Sequence, residues 1–230
     1  MNRLDVYTAV HKLHRARLFR LTVEAGQADP ADTVTMNRLA AAVHALAAEL
    51  TAHADHEDRF IHPLLRKSAP ALAARLDAAH ATLDARLDRL RQTASAAASD
   101  ASAASPADAD NDPNALYRAL AAFTAAYLEH LAVEEGEALP ALWGGCTDDE
   151  LLGILASFRG SRTDAENLTS LIAQLATLSP PEIQRMISAG LGPVPLSDVS
   201  ELLATVLDPR QLGALRHATA ALAPGRGPIG

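Results

Sequence analysis

Two segments of this chain carry a histidine followed four residues later by a glutamate, His53/Glu57 and His130/Glu134. On a helix, residues i and i+4 share a face. Each pair therefore offers a nitrogen and an oxygen to one point. Both pairs fall in phase with apolar residues. Leu39, Val43, Leu46, Leu50, His53, Glu57, Phe60 and Leu64 step by four and three, as do Leu116, Leu120, Phe123, Tyr127, His130, Glu134 and Glu137. Two further stripes run Leu4, Tyr7, His11, His14, Leu18, Leu21 and Leu76, His80, Leu83, Leu87, Leu90. Each stripe is the seam that a helix turns toward a core. An ionised carboxylate there is costly unless it is paired or bound to metal. Four seams all broken by metal-capable residues point to one shared metal site.

The donor set selects the metal. Four histidines and two glutamates exceed the tetrahedral set of a structural zinc site, which usually uses cysteine. Mixed imidazole and carboxylate ligation suits iron, with manganese or zinc as alternatives. Six protein ligands suit two metals bridged by the two glutamates and an oxygen species, with open positions left over. Ferritin-type sites use Glu-x-x-His, and the chain contains no such motif. His44, His56, His62 and His217 fall off the seams and are expected on the surface or in support, with His56 or His62 able to hydrogen-bond a ligand. No Ser/His/Asp or cysteine nucleophile and no Gly-rich phosphate loop is present, and Cys146 in WGGCTDD is given no role.

The elements that must position these residues are helices. The chain has 230 residues, 49% hydrophobic and only 3% aromatic, so its core is built from Leu, Ala and Val. Ala and Leu are strong helix formers, and no stretch alternates as a strand would. The reading is an all-α, up-down-up-down four-helix bundle with extra C-terminal helices. Helices are expected at about 3–25, closed by Gly26, then 34–66, 70–95 and 114–139, with a kink or stop at Pro63 and at Pro140. The Ala/Ser/Asp-rich stretch 93–113 reads as a mobile loop. Residues 147–178 form one or two helices, and prolines at 180, 181, 193, 195 and 209 introduce three short ones. Domain boundaries follow: a metal-binding bundle at 1–145 and a helical extension at 146–225.

The net charge of −8 argues against nucleic acid as a partner. No apolar run is long enough to span a membrane, and the N-terminus lacks a secretory apolar segment. A single cysteine cannot form an internal disulfide, which with the rest suggests a cytoplasmic protein.

The four histidine-bearing segments, YTAVHKLHRARLF, HADHEDRFIHPLL, HATLDARL and HLAVEEGEALPALW, resemble hemerythrin-like HHE cation-binding domains. The chain also resembles a bacterial subgroup in which DDEL and PPE helices follow the bundle, as at 148–151 and 180–182. Carried over, the resemblance implies metal ligands His53, Glu57, His80, His130 and Glu134. On the first helix, His11 and His14 both lie on the core stripe one turn apart; related HKxLR segments align His11 with the ligand and His14 with a leucine, which makes His11 the implied ligand and His14 its alternative. The implied cofactor is two iron ions with an oxo or hydroxo bridge. One departure stands out: oxygen-carrying hemerythrins have HxxxH on the third helix and a final carboxylate further along the fourth, whereas this chain has His80-x-x-x-Asp84. Asp84 then becomes an alternative ligand, and Tyr127, one turn before His130, another.

Two classes of function follow. One is a binding protein for O2 or NO, or for iron storage. The other is a di-iron oxidase, oxygenase, or peroxide- or NO-consuming enzyme acting on a small molecule. The missing second histidine leans toward the enzyme. In both, the metals supply the chemistry and the protein sets geometry and dryness.

Overall fold

The computed structural model describes residues 3–102, 112–188 and 200–222. Among these the regular structure is helical. The chain divides into two compact units, Met1–Leu155 and Ala156–Gly230.

The first unit is the bundle. Its helices are α1 (Thr8–Gln27), α2 (Thr33–His56) continued through a π-turn into α3 (His62–Ser68), α4 (Pro70–Ser102), and α5 (Ala115–Val133) continued through a second π-turn into α6 (Leu139–Gly145). α2 packs on α4, α4 on α5, α5 on α1 and α1 on α2, which closes the ring. The N-terminus begins later than its apolar stripe suggests. The Asp5 carboxylate accepts from the backbone N–H groups of Tyr7 and Thr8 at 3.0 and 2.9 Å, and the helix proper starts there. Asp32 caps α2 in the same way, through Val34 and Thr35. Gly26 lies inside α1 rather than beyond its end. A Cβ at this position would come within 3.1 Å of the Tyr117 ring, so close packing accounts for the glycine.

The stretch 93–102 is helix, not loop. Ala94 and Ala98 are buried and extend the α4 seam beyond Leu87 and Leu90. Their small side chains make the periodicity easy to overlook, but alanine is the best helix former. The rest of the expected loop, 103–111, lies outside the described residues.

Neither Pro63 nor Pro140 stops its helix. Each lies six residues after a seam glutamate. A proline in a helix interior removes a backbone donor and clashes with the carbonyl four residues before it. The two π-turns, Glu57–Ile61 and Glu134–Ala138, absorb that defect. The N–H of His62 donates to the Glu57 carbonyl and that of Leu139 to the Glu134 carbonyl, five residues back in each case. Each proline then falls in the first turn of the resumed helix, where no N–H is needed.

The inserted residue shifts the seam by one. Ile61 and Leu65 are buried where Phe60 and Leu64 were expected, and Ala138 takes the place of Glu137. Glu137 turns outward and pairs with Arg75 at 2.7 Å.

Two apolar clusters form along the bundle. One contains Leu18, Leu50, Leu87, Phe123 and Leu131; the other contains Tyr7, Ile61, Leu76, Ala138 and Leu142. On every helix the polar seam residues fall between the two. The second cluster also takes in Leu151 and Ile154 of α7 (Asp148–Gly160). Thr147 and Glu150 exchange hydrogen bonds at the start of that helix, which is the physical content of the DDEL segment.

The second unit holds α8 (Asp164–Leu175), α9 (Pro180–Ser188), α10 (Ser200–Val206) and α11 (Pro209–Leu222). Pro180 and Pro209 stand at helix starts as expected, whereas Pro193 and Pro195 lie outside the described residues. α11 packs on α9, and the buried Gln211 amide donates to the Leu178 carbonyl at 2.8 Å. Among the described residues, no helix is long and apolar enough to cross a membrane.

Candidate metal centre

Six side chains from α1, α2, α4, α5 and the starts of the two π-turns converge between the apolar clusters. They form two overlapping groups, His11, His53 and Glu57, and Glu57, His80, His130 and Glu134. Glu57 and Glu134 are 2% and 0% exposed, so two carboxylates sit in the core with no solvent to stabilise them.

The carboxylates are shared in an ordered way. Glu57 Oε1 lies 3.1 Å from His53 Nε2 and 3.8 Å from His11 Nε2, while its Oε2 lies 3.3 Å from His80 Nε2. Glu134 Oε2 lies 3.4 Å from His11 Nε2, and its Oε1 is 2.9 and 3.6 Å from the Nε2 atoms of His130 and His80. Each glutamate thus presents one oxygen to the α1/α2 histidines and the other to the α4/α5 histidines.

All four carboxylate oxygens, and the Nε2 atoms of His11 and His53, are buried without a hydrogen-bond partner. The Nε2 atoms of His80 and His130 face one another at 3.1 Å. Two nitrogens bound to one metal at about 2.1 Å and a right angle would stand about 3 Å apart. The donor set and its unpartnered atoms fit metal ions.

The outward imidazole nitrogens explain how the inward ones are aimed. His11 Nδ1 donates to Glu135 at 2.9 Å, and His80 Nδ1 donates to Asp58 at 2.8 Å. A proton held on Nδ1 leaves the Nε2 lone pair facing inward. Glu135 is itself gripped by Arg15 at 2.6 and 3.0 Å. Burial would raise the Glu135 carboxyl, but His11 and Arg15 bring it down to about 2. Asp58 lies 3.0 Å from His62 Nδ1, which also meets Asp77 at 2.6 Å, and Arg66 forks onto Asp77. His130 Nδ1 is buried and has no partner.

Burial alone would depress His11, yet Glu135 and Glu57 raise it to about 9. His80, likewise opposed by burial, is raised to about 11 by Glu134 and Glu57. Without a cation at the centre, the carboxylates retain protons on these histidines. Glu57 is held well below the ordinary range: burial opposes ionisation, but His53, His11 and His80 overcome it.

The remaining expectations divide. His14 does not join the converging groups; its Nδ1 meets the Tyr127 hydroxyl at 3.0 Å. The two alternative ligands on α1 and α5 are therefore partners of each other. Asp84 is exposed and lies outside both groups. His44 and His217 are exposed, and His44 bonds Ser95. His56 is half-buried and stacks on Phe60. His62, expected on the surface or in support of a ligand, is fully buried and stacks on His80 with 5.1 Å between ring centres. The π-turn is the reason, because it rotates His62 inward.

Asp58 and Glu135 were missed as supporting residues. The signal for them is an internal repeat: His-x-x-x-Glu, an acidic residue, four residues, then proline, at 53–63 and again at 130–140. The residue after each glutamate orients a histidine on a neighbouring helix. Tyr7 was also missed. Its fully buried hydroxyl has no partner, and burial, with Glu57 and Glu134, pushes it well up.

A cavity of about 10 Å³ adjoins the centre, walled by Leu50, Leu83, Leu87, Phe123, Tyr127 and the candidate ligands His53, Glu57, His80 and His130, with Asp84 also on its wall. It has room for about one water-sized molecule. A larger groove of about 290 Å³ between α4 and α5 is lined by Arg75, Arg86, Glu129 and apolar residues. Of the six converging side chains, it touches only His130.

The sequence profile of the hemerythrin HHE cation binding domain matches residues 2–142. The chain belongs to this family, as a helical bundle that buries a His/Glu cluster able to bind metal. No curated protein and no solved structure matches the chain.

Proposed function

We propose that the chain is a non-heme dinuclear iron protein that takes O2, NO or peroxide at its centre and consumes them in redox chemistry. The observation that carries this reading is the division of each glutamate between two histidine pairs. That arrangement suits two ions, one beside His11 and His53 and one beside His80 and His130, with Glu57 and Glu134 spanning both. Bound there, iron would supply one-electron redox steps and Lewis acidity.

The protein does the rest. Glu135 and Asp58 fix the imidazole tautomers, and the leucines and Phe123 line the adjoining cavity with apolar surface. The small cavity suits ligands of two or three atoms, so oxygenation of a larger organic substrate at this centre is disfavoured. Because α4 contributes one histidine and Asp84 stays outside the cluster, fewer protein ligands surround the pair than in an oxygen carrier. The small cavity equally suits a second reading, a sensor that binds O2 or NO without turnover.

Metal analysis of the purified chain tests the centre. About two ions per chain are expected, with the absorption of bridged ferric ions, and His53→Ala with Glu57→Ala should lower this below about one. A chain from iron-replete cells that carries no metal would sink the proposal. Many turnovers of peroxide or NO by the reduced protein support the enzyme; a single stable adduct supports the sensor.

A further inference from the structure

Tyr127 is the one hydroxyl-bearing residue among those walling the small cavity. Its hydroxyl is committed elsewhere, at 3.0 Å from His14 Nδ1. The opposite face of that imidazole is committed too, with His14 Nε2 3.5 Å from Glu49 Oε1. The other oxygen of Glu49 is paired with Arg17, near the surface. Neither His14 nor Glu49 belongs to the converging metal-capable groups.

We propose that the Glu49–His14–Tyr127 chain withholds the Tyr127 hydroxyl hydrogen from the cavity, so that the cavity selects uncharged diatomic ligands over small anions. This rests on the dinuclear centre proposed above.

Hydrogen-bond direction decides what Tyr127 offers the cavity. A neutral imidazole carries one N–H. His14 is 1% exposed, and burial disfavours the charged imidazole. A carboxylate beside Nε2 favours the proton on Nε2 over a lone pair. Nδ1 is then the acceptor, and the Tyr127 O–H must donate to it. Tyr127 then offers the cavity no hydrogen-bond donor. An anion there gains no hydrogen bond from Tyr127, whereas a neutral diatomic needs none. With the proton on Nδ1 instead, Tyr127 would accept from His14, and its own hydrogen would be free for a cavity ligand.

Two measurements test this. Nitrogen-15 spectra of the metal-free, full-length protein should show His14 protonated on Nε2, and Glu49→Leu should shift the population toward Nδ1. A proton on Nδ1 in the unaltered protein overturns the inference. In the metal-loaded chain, titration with azide and with NO reads out ligand preference through absorption. His14→Leu should tighten azide by about tenfold, the scale of one hydrogen bond to a charged group, and leave NO within about twofold. His14→Leu with Tyr127→Phe should lose that gain. An unchanged azide affinity in His14→Leu, or a gain that survives in the double variant, overturns the inference while leaving the dinuclear centre standing. Loss of metal from His14→Leu also overturns it, by making His14 a ligand. A wild-type chain that binds no metal counts against the centre itself, and the nitrogen-15 measurement still decides the tautomer.

Discussion

His11 and His80 are held as cations by the carboxylates they face, and a metal ion would take over that role. The two kinds of charge therefore compete. Because His11 is raised to about 9 and His80 to about 11, both carry protons at neutral pH in the metal-free chain. Metal uptake at pH 7 should release about two protons, measurable as the buffer dependence of the binding heat. The same shifts set a stability profile. A histidine whose folded value exceeds its ordinary 6.5 contributes stability that is complete below that value and is lost as pH rises through the folded value. The melting temperature of the metal-free chain should therefore fall from about pH 6.5, most steeply up to pH 9 where both histidines contribute and on toward pH 11 through His80, and that of the loaded chain should not. Glu135→Gln and Asp58→Asn each remove the charged acceptor that aims an imidazole. Each should weaken metal binding by about 10- to 100-fold in chelator competition. Unchanged affinity would reduce these contacts to surface pairing.

At the scale of elements, the π-turns decide which side chains meet. In an unbroken α-helix, Phe60, Leu64 and Glu137 would continue the seams; with one residue inserted, Ile61, Leu65 and Ala138 do so instead. Both turns begin at a candidate ligand, in keeping with the concentration of π-bulges at functional sites. The far end of α4 makes a second point. Ala94 is fully buried among leucines, in a segment whose composition reads as loop. Ala94→Asp should cost about 2–4 kcal/mol in denaturant unfolding, since it buries an unpaired charge. A neutral result would mean that this part of α4 is not packed in solution.

At the scale of the molecule, a band of charge lies between two apolar clusters and requires compensation. Removing metal should lower the melting temperature and broaden access to the core, because a ligand that binds only the folded state stabilises it by mass action. The apolar cluster around Tyr7 draws on Leu151 and Ile154, and Arg3 ties the N-terminus to Asp148 and the Cys146 carbonyl. A fragment ending at residue 160 should therefore fold and bind metal as the whole chain does. One ending at 145 should melt lower, because it removes Leu151 and Ile154 from the apolar cluster they complete. Equal melting temperatures would show that α7 adds nothing to the bundle.

The pairs His53/Glu57 and His130/Glu134 were legible because a period of three and four is local and each histidine or glutamate breaks an apolar seam visibly. The bundle, its four histidine-bearing helices and five of the six convergent side chains, His53, Glu57, His80, His130 and Glu134, follow from that pattern. The sequence alone left His11 and His14 as alternatives, since both lie on one stripe a turn apart. Tertiary packing separated them: Glu135 aims His11 inward, while Tyr127 and Glu49 engage His14. It also placed His62 in the core and Glu137 outside, because a π-turn changes the helical phase without changing the local composition. Period and residue type are properties of one helix, whereas register, tautomer and cavity size arise only when several helices meet.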